Sequence, residues 1–197
     1  MKKLSVTFLL FVLCRYVSAQ QAPNIVKYNL GALLERTFSA GFERAVSPKN
    51  SVQVTLDYHT EKDRDYLGGD RYTGVGLSGE YRIYGLIPAL KTGNETVLNG
   101  VFFGPSAAYR RITYKSRDRK DPFDEKFSVV QLGGVAGYQY RPKSLPQLSA
   151  EASLGLMLGF ASGEDVEGFG EEFGIGTRFN SGFIPVFSLN IGYAFGR

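Results

Sequence analysis

The feature that most constrains this chain is a strict two-residue alternation of side-chain character over long segments near its C-terminus. In Phe183–Phe195 every odd-numbered position carries a bulky apolar residue, and the positions between them become small or polar towards the end. Leu148–Ala161 repeats the pattern, with apolar residues at its even-numbered positions. Because successive side chains of a β-strand point to opposite faces, each segment predicts a strand with one apolar face. A membrane-crossing β-strand needs about 9–11 residues, so these segments predict a transmembrane β-barrel.

Six further segments alternate in a similar way and bring the total to eight strands. The predicted strands are Ile25–Leu34, Phe38–Val46, Val52–His59, Tyr72–Tyr84, Gly100–Tyr114, Phe127–Arg141, Leu148–Ala161 and Phe183–Phe195. We therefore predict an all-β fold, an eight-stranded antiparallel transmembrane up-and-down β-barrel. Pro105 and Pro185 fall inside strands, where each removes a ladder hydrogen bond, so a local bulge is expected at both.

The first residues of the chain have a different character from the rest. Met1–Ala19 predicts a secretory signal peptide, with two lysines, a short apolar run and small residues before the cleavage point, so that residues 20–197 form the outer-membrane barrel domain. The formal net charge of +4 includes Lys2, Lys3 and Arg15, which cleavage would remove. The mature chain then lacks the excess positive charge that nucleic-acid binding requires, and no nucleic-acid partner is expected.

Volume decides which face of the predicted strands points into the barrel. Eight strands enclose an interior only just wide enough for side chains, and the face rich in Leu, Phe and Tyr is too bulky for it. We therefore predict that this apolar face points to lipid and that the small and polar face lines the lumen. Turn-like and charged connections alternate along the chain, which predicts that both termini are periplasmic.

Strand direction then assigns heights to the polar residues of the lumen. One set falls in the periplasmic half and contains both signs of charge, which predicts a salt-bridged plug because buried charges need partners. This predicted lumen cluster consists of Lys27, Glu43, Glu80, Arg82, Gln139, Arg141 and Glu151. The outer half is richer in glycine and has fewer large side chains, so it is expected to hold water.

His59, the single histidine, raises the question of catalysis. Lipid A-modifying barrels use a histidine with a nearby serine or acid, and Asp57 and Glu61 flank His59 in sequence. No serine has a matching spacing, and strand parity turns His59 inward. We therefore interpret it as a polar residue at a strand end and expect no enzymatic activity.

Three segments carry a family resemblance. Asn24–Val46 contains Asn-Ile-Val-Lys-Tyr-Asn-Leu followed by Phe-Ser-Ala-Gly-Phe-Glu-Arg, and it is similar to the opening of small Bacteroidota-type outer-membrane barrels of unassigned function. The run from Gly104-Pro105 to Tyr109-Arg110 and the closing Leu189–Phe195 also resemble that family. More distantly, the chain resembles the OmpA and OmpX transmembrane barrels. The resemblance implies the fold and the outer-membrane location; it implies no activity.

These observations predict a non-enzymatic barrel of the Gram-negative outer membrane with a structural or surface-interaction role and a polar, plugged lumen. The alternatives are a narrow pore and, less favoured, a lipid A-modifying enzyme that uses His59. We expect no cofactor and no metal. The expected partners are outer-membrane lipids and lipopolysaccharide, with the outer-membrane insertion machinery during biogenesis. The sequence does not identify a ligand of the surface loops.

Overall fold

The structure is a computed structural model and describes residues 24–34, 36–62, 71–85, 98–115, 124–163 and 182–196. Its elements, in chain order, are β1 Asn24–Asn29, α1 Gly31–Leu34, β2 Thr37–Ala45, β3 Asn50–Lys62, β4 Arg71–Tyr84, β5 Gly100–Lys115, β6 Asp124–Tyr140, β7 Leu148–Gly163 and β8 Gly182–Phe195. The predicted signal peptide lies outside the described residues and remains a prediction. Within the described ranges, no helix is long and apolar enough to cross a membrane.

The eight strands form one closed barrel in sequence order, and every neighbouring pair is antiparallel. Stepping from Val26 through successive paired residues on β2 to β7 leads to Phe183 on β8. Val26 itself pairs with Tyr193 on β8. The offset between Phe183 and Tyr193 is the stagger that accompanies the tilt of strands in a closed barrel. The predicted eight-stranded antiparallel barrel is confirmed.

The two faces of the barrel wall differ as the volume argument predicts. Large apolar side chains lie on the outer face; Leu154 is 67% and Phe183 78% exposed. The inner face carries mainly small, glycine and polar residues, with Lys27 and Gln131 buried there, and it also holds some large apolar side chains such as Ile25 and Phe102. Below, the end of the barrel at which β1 begins is called the N-terminal end, and the opposite end is called the far end.

The first predicted strand is wrong in its second half. β1 ends at Asn29, and the predicted continuation to Leu34 forms the helical turn α1. The Asn29 Oδ1 accepts hydrogen bonds from the backbone N–H of Ala32, at 3.2 Å, and of Leu189, at 3.4 Å. The asparagine amide thus caps the turn and also takes the place of a ladder acceptor beside β8, which allows the chain to leave the sheet here.

The predicted bulges at the two prolines are also wrong. The β4–β5 register is the same on both sides of Pro105, and the only change is that Tyr81 and Arg82 have no paired residue on β5. Pro185 pairs with Leu156 in an unbroken β7–β8 register. The backbone nitrogen of Pro185, which carries no hydrogen, faces β1. The Leu189 carbonyl lies on the same side of β8 and accepts a hydrogen bond from the Leu30 N–H. β1 ends before that level, so no ladder bond is lost there.

Candidate functional site in the barrel lumen

Four charged side chains from four strands meet inside the N-terminal half of the barrel. Lys27 comes from β1, Glu43 from β2, Arg82 from β4 and Glu151 from β7. Each occupies an inward position of its alternating strand, and none is more than 2% exposed. Together with the side chains that bind them, they are called the charged network below.

Lys27 connects three neighbours in the charged network. Its Nζ lies 2.5 Å from Glu43 Oε2 and also pairs with Glu151 Oε2. It donates a further hydrogen bond to Gln139 Oε1, at 2.5 Å. Lys27 thus donates hydrogen bonds to Gln139 and Glu151 and forms an ion pair with Glu43, whose Oε2 accepts no hydrogen bond from the described residues.

Arg82 makes the most extensive contacts of the network. Its Nη1 and Nη2 donate to Glu151 Oε2 and Oε1, at 2.8 and 3.1 Å, as a bidentate pair. Its Nε donates to Glu80 Oε2 at 2.7 Å, and Nη1 lies 3.6 Å from Glu43 Oε2. The planar guanidinium suits such two-atom contacts, which are among the strongest hydrogen bonds in proteins.

Neutral side chains add hydrogen bonds to one oxygen of each buried carboxylate. Glu43 Oε1 accepts from Ser51 Oγ and, at 2.7 Å, from Tyr84 Oη. Glu151 Oε1 accepts from Asn190 Nδ2 at 2.9 Å. The network therefore compensates much of the large desolvation cost of burying charge.

The structure brings six of the seven predicted cluster residues into this network and gives Arg141 a different setting. Arg141 follows the end of β6, and its Nε and Nη2 donate to the carbonyl of Pro146 at 3.2 and 2.6 Å. Its backbone N–H donates to Asn99 Oδ1 at 3.1 Å. Arg141 thus ties the β6–β7 turn to the end of the β4–β5 connection.

An apolar layer lies between the charged network and the N-terminal mouth of the barrel. Its residues are Ile25, Ala45, Tyr84, Leu98, Phe102 and Ala194. The Arg82 guanidinium lies 4.2 Å from the centre of the Phe102 ring, a cation–π contact. Leu98, from the connection after β4, is 2% exposed, and its carbonyl accepts from Gln139 Nε2 at 2.9 Å. Sequence reasoning missed Leu98 because an aperiodic connection gives no signal of insertion into a barrel.

A polar cavity of about 70 Å³ lies on the other side of the network. Hydroxyl and amide side chains such as Ser39, Gln53, Ser106 and Ser153 line it, together with Glu80. The buried Oε1 of Gln53 accepts no hydrogen bond from the described residues. The cavity is polar and large enough for a few water molecules.

A second polar layer borders this cavity towards the far end. Arg110 donates to Gln131 Oε1 at 2.5 Å, and its Nη2 lies 3.5 Å from Asp57 Oδ2. Sequence reasoning expected few large side chains in this half and did not single out Arg110. The strand parity of Arg110 marks it as inward, and that signal could have identified it.

His59 lies near the far end and not in the charged network. Its Nδ1 is 2.8 Å from Thr37 Oγ1, the inward residue paired with it on β2. Together with Gly74 and Ile112, these residues line a pocket of about 10 Å³, scarcely large enough for one water molecule. In the described part of the chain, no group of three or more His, Cys, Asp or Glu side chains is placed to hold a metal ion.

The fold is similar to those of several outer-membrane proteins. Ail, the attachment invasion locus protein of Yersinia pestis, was solved in complex with the heparin analogue sucrose octasulfate. It aligns with a TM-score of 0.53 and 8% identity, over 89% of this chain and all of Ail (100%). A major outer membrane protein from Thermus thermophilus aligns with a TM-score of 0.52 and 18% identity, over 89% of this chain and 100% of that one. At these identities the likeness shows the fold alone.

Sequence comparison gives a family match. The profile of DUF3575, described as a protein of unknown function, matches residues 5–167. No curated protein matches the sequence.

Proposed function

The chain belongs to the DUF3575 family of proteins of unknown function, and we propose that it is a non-enzymatic outer-membrane β-barrel with a closed lumen. Its role in this proposal is structural or one of surface interaction. The observation that carries the proposal is the charged network, which joins β1, β2, β4 and β7 through the interior. If these side chains lay along the wall without contacting one another, they would leave the lumen open.

The outer surface supports the membrane location. Tyr138, Tyr140 and Tyr193 are exposed near the N-terminal end, and Tyr58 and Phe160 near the far end. Aromatic girdles of this kind flank the apolar band of outer-membrane barrels. β1 pairs with both β2 and β8 and so closes the sheet along its length, and paired strand edges are what a hydrocarbon environment requires.

The connections support an orientation with both termini in the periplasm. At the N-terminal end, β2 and β3 are joined by a turn between Ala45 and Asn50, and β6 and β7 by one between Tyr140 and Leu148. Short turns are typical of the periplasmic side and longer loops of the outer side. In this orientation lipopolysaccharide and outer-membrane lipids surround the barrel, and the insertion machinery acts on it during biogenesis.

Cell fractionation and conductance measurements test the two parts of the proposal separately. The mature protein should fractionate with the outer membrane and migrate faster on gels when it is not heated. Recovery as a soluble periplasmic protein would end the membrane assignment. In a planar bilayer, the purified wild type should show no steady conductance.

One observation favours a narrow pore as the second candidate. The polar cavity lies directly beside Glu80, so a rearrangement of Arg82 away from Glu80 and Glu151 would connect the cavity with the N-terminal half of the lumen. Steady conductance of the wild type, with unchanged stability on removal of Arg82, would favour the pore over the closed barrel.

A further inference from the structure

The outer face of β5 and β6 changes character along its length towards the far end. Tyr109 pairs with Val130 between apolar neighbours, and its Oη lies 3.1 Å from Ser128 Oγ. The next outward pair joins Arg111 to Ser128, and the one after it joins Thr113 to Lys126. The order apolar, aromatic, then basic matches the passage from hydrocarbon through the interface to lipid headgroups.

Arg111 and Lys126 form an exposed basic pair on this face. They lie diagonally on adjacent strands, an arrangement that puts side chains about 7–8 Å apart. Neither side chain forms an ion pair or hydrogen bond with any residue in the described ranges, and both side chains are exposed. Two cations at this separation, with the Thr113 hydroxyl beside them, can contact one phosphate group from two sides.

A shallow, open apolar groove lies on the same strands, further from the far end. Its floor is formed by small residues on the adjacent strands β5, β6 and β7. Pro105, Gly134 and Ala136 lie there between the larger side chains of Phe103 and Leu156. A methyl group placed on Gly134 would meet only the Gly104 carbonyl, at 3.6 Å, so the floor of the groove is open.

We propose that this face binds one phosphorylated lipid, with a phosphate at Arg111 and Lys126 and an acyl chain in the groove. The lipid is the lipid A part of lipopolysaccharide, an assignment that rests on the outer-membrane orientation proposed above. Pro105 lies six residues before Arg111 on β5, about 20 Å along a strand. With the usual tilt, that is a depth of about 15 Å, half of the roughly 30 Å hydrocarbon core. A chain that starts at the basic pair therefore reaches the groove.

The combination selects this occupant over others. A soluble polyanion could contact the basic pair but would leave the apolar groove unfilled. An uncharged lipid could enter the groove but would leave two cations without a counter-charge. A phosphorylated lipid occupies both parts with one molecule.

Native mass spectrometry of the folded, purified barrel tests the site. The protein is released from detergent micelles that contain lipid A, either diphosphorylated or dephosphorylated, and the retained lipid is counted. Arg111→Gln with Lys126→Gln removes the basic pair. Lys49→Gln with Lys143→Gln removes two exposed cations from turns at the opposite end and is the matched control. Gly134→Leu fills the groove without changing the charge, and gel migration of unheated samples verifies that each variant is folded.

The wild type should retain the diphosphorylated lipid in preference to the dephosphorylated one. Loss of both cations should weaken retention about 25-fold, since one cation near an anionic surface contributes about fivefold, and the control pair should match the wild type. Gly134→Leu should also weaken retention. Equal retention of both lipids, or unchanged retention in either the basic-pair or the groove variant, would overturn the site. A barrel that inserts into membranes but fails this test would leave the proposed function standing.

Discussion

Arg82 and Glu151 join two strands that are not neighbours, β4 and β7, by a pair of hydrogen bonds across the lumen. The distances are 2.8 Å from Nη1 to Oε2 and 3.1 Å from Nη2 to Oε1, and both side chains are 1% exposed. Removing one partner of a buried pair leaves the other charge desolvated and unpaired, which costs more than the pair itself contributes. The contact is therefore the most informative place to test the charged network.

We predict that Arg82→Ala lowers the free energy of unfolding by about 3–5 kcal/mol, because Glu151 and Glu80 lose their guanidinium partner. Glu80→Ala should cost less, since the Glu80 side chain is 17% exposed and borders the polar cavity, which can hold water. Urea unfolding of the refolded barrel in detergent, followed by circular dichroism, measures both. Lys143→Ala, an exposed control in a turn, should change stability by no more than about 0.5 kcal/mol. Equal stability of Arg82→Ala and wild type would contradict a closed network.

A second prediction concerns the close approach of β4 and β5 at Gly104. A Cβ at this position would lie 1.7 Å from the Tyr81 carbonyl oxygen, so Gly104→Ala forces the two backbones apart. The fraction of folded protein on unheated gels should fall well below that of the wild type. Gly79→Ala is the control on the adjacent strand, because a Cβ there has no atom within 4 Å. A normal folded fraction for Gly104→Ala would show that the strands can separate without penalty.

A third prediction concerns the end of β1. Asn29→Ala removes the acceptor of two backbone N–H groups, those of Ala32 and Leu189. Loss of such a cap and of a buried hydrogen bond should destabilise the barrel by about 1–2 kcal/mol. Urea unfolding provides the measurement, and hydrogen exchange at Leu189 should become faster. Asn29→Asp is the control because it keeps the acceptor oxygen. Exchange at Leu189 that is unchanged in the Asn29→Ala variant but faster in the Asn29→Asp variant would refute the capping role.

A fourth prediction separates the non-enzymatic barrel from the lipid-modifying alternative. His59→Ala should leave the lipid A profile of the cell unchanged, because His59 hydrogen-bonds to Thr37 and lines a pocket of only about 10 Å³. Mass spectrometry of extracted lipid A tests this. Thr37→Ala, which removes the same hydrogen bond from the other side, is the control. Loss of an acyl-chain modification in the His59 variant alone would favour the enzyme.

Local alternation was sufficient to predict eight strands and the direction of their side chains, except in the second half of the first strand. Parity alone puts Lys27, Glu43 and Arg82 on the inner face, because the side-chain period of a strand is fixed at two. The contacts among them depend on the register around the whole barrel, which no single strand encodes. The end of β1 depends on Leu189, which is far away in sequence, and this explains why the alternation in that segment was misleading. Leu98 enters the barrel mouth from a connection without periodicity, so no local pattern reveals it.

The charged network also bears on the mechanics of the barrel wall. Ladder hydrogen bonds run between neighbouring strands, so they resist sliding and separation but leave a ring free to flatten into an ellipse. Arg82–Glu151 and Lys27–Glu151 run across the ring between non-neighbouring strands and act as cross-braces. Lateral pressure from a membrane is then carried by side chains as well as by the wall. These ion pairs therefore oppose flattening of the barrel cross-section.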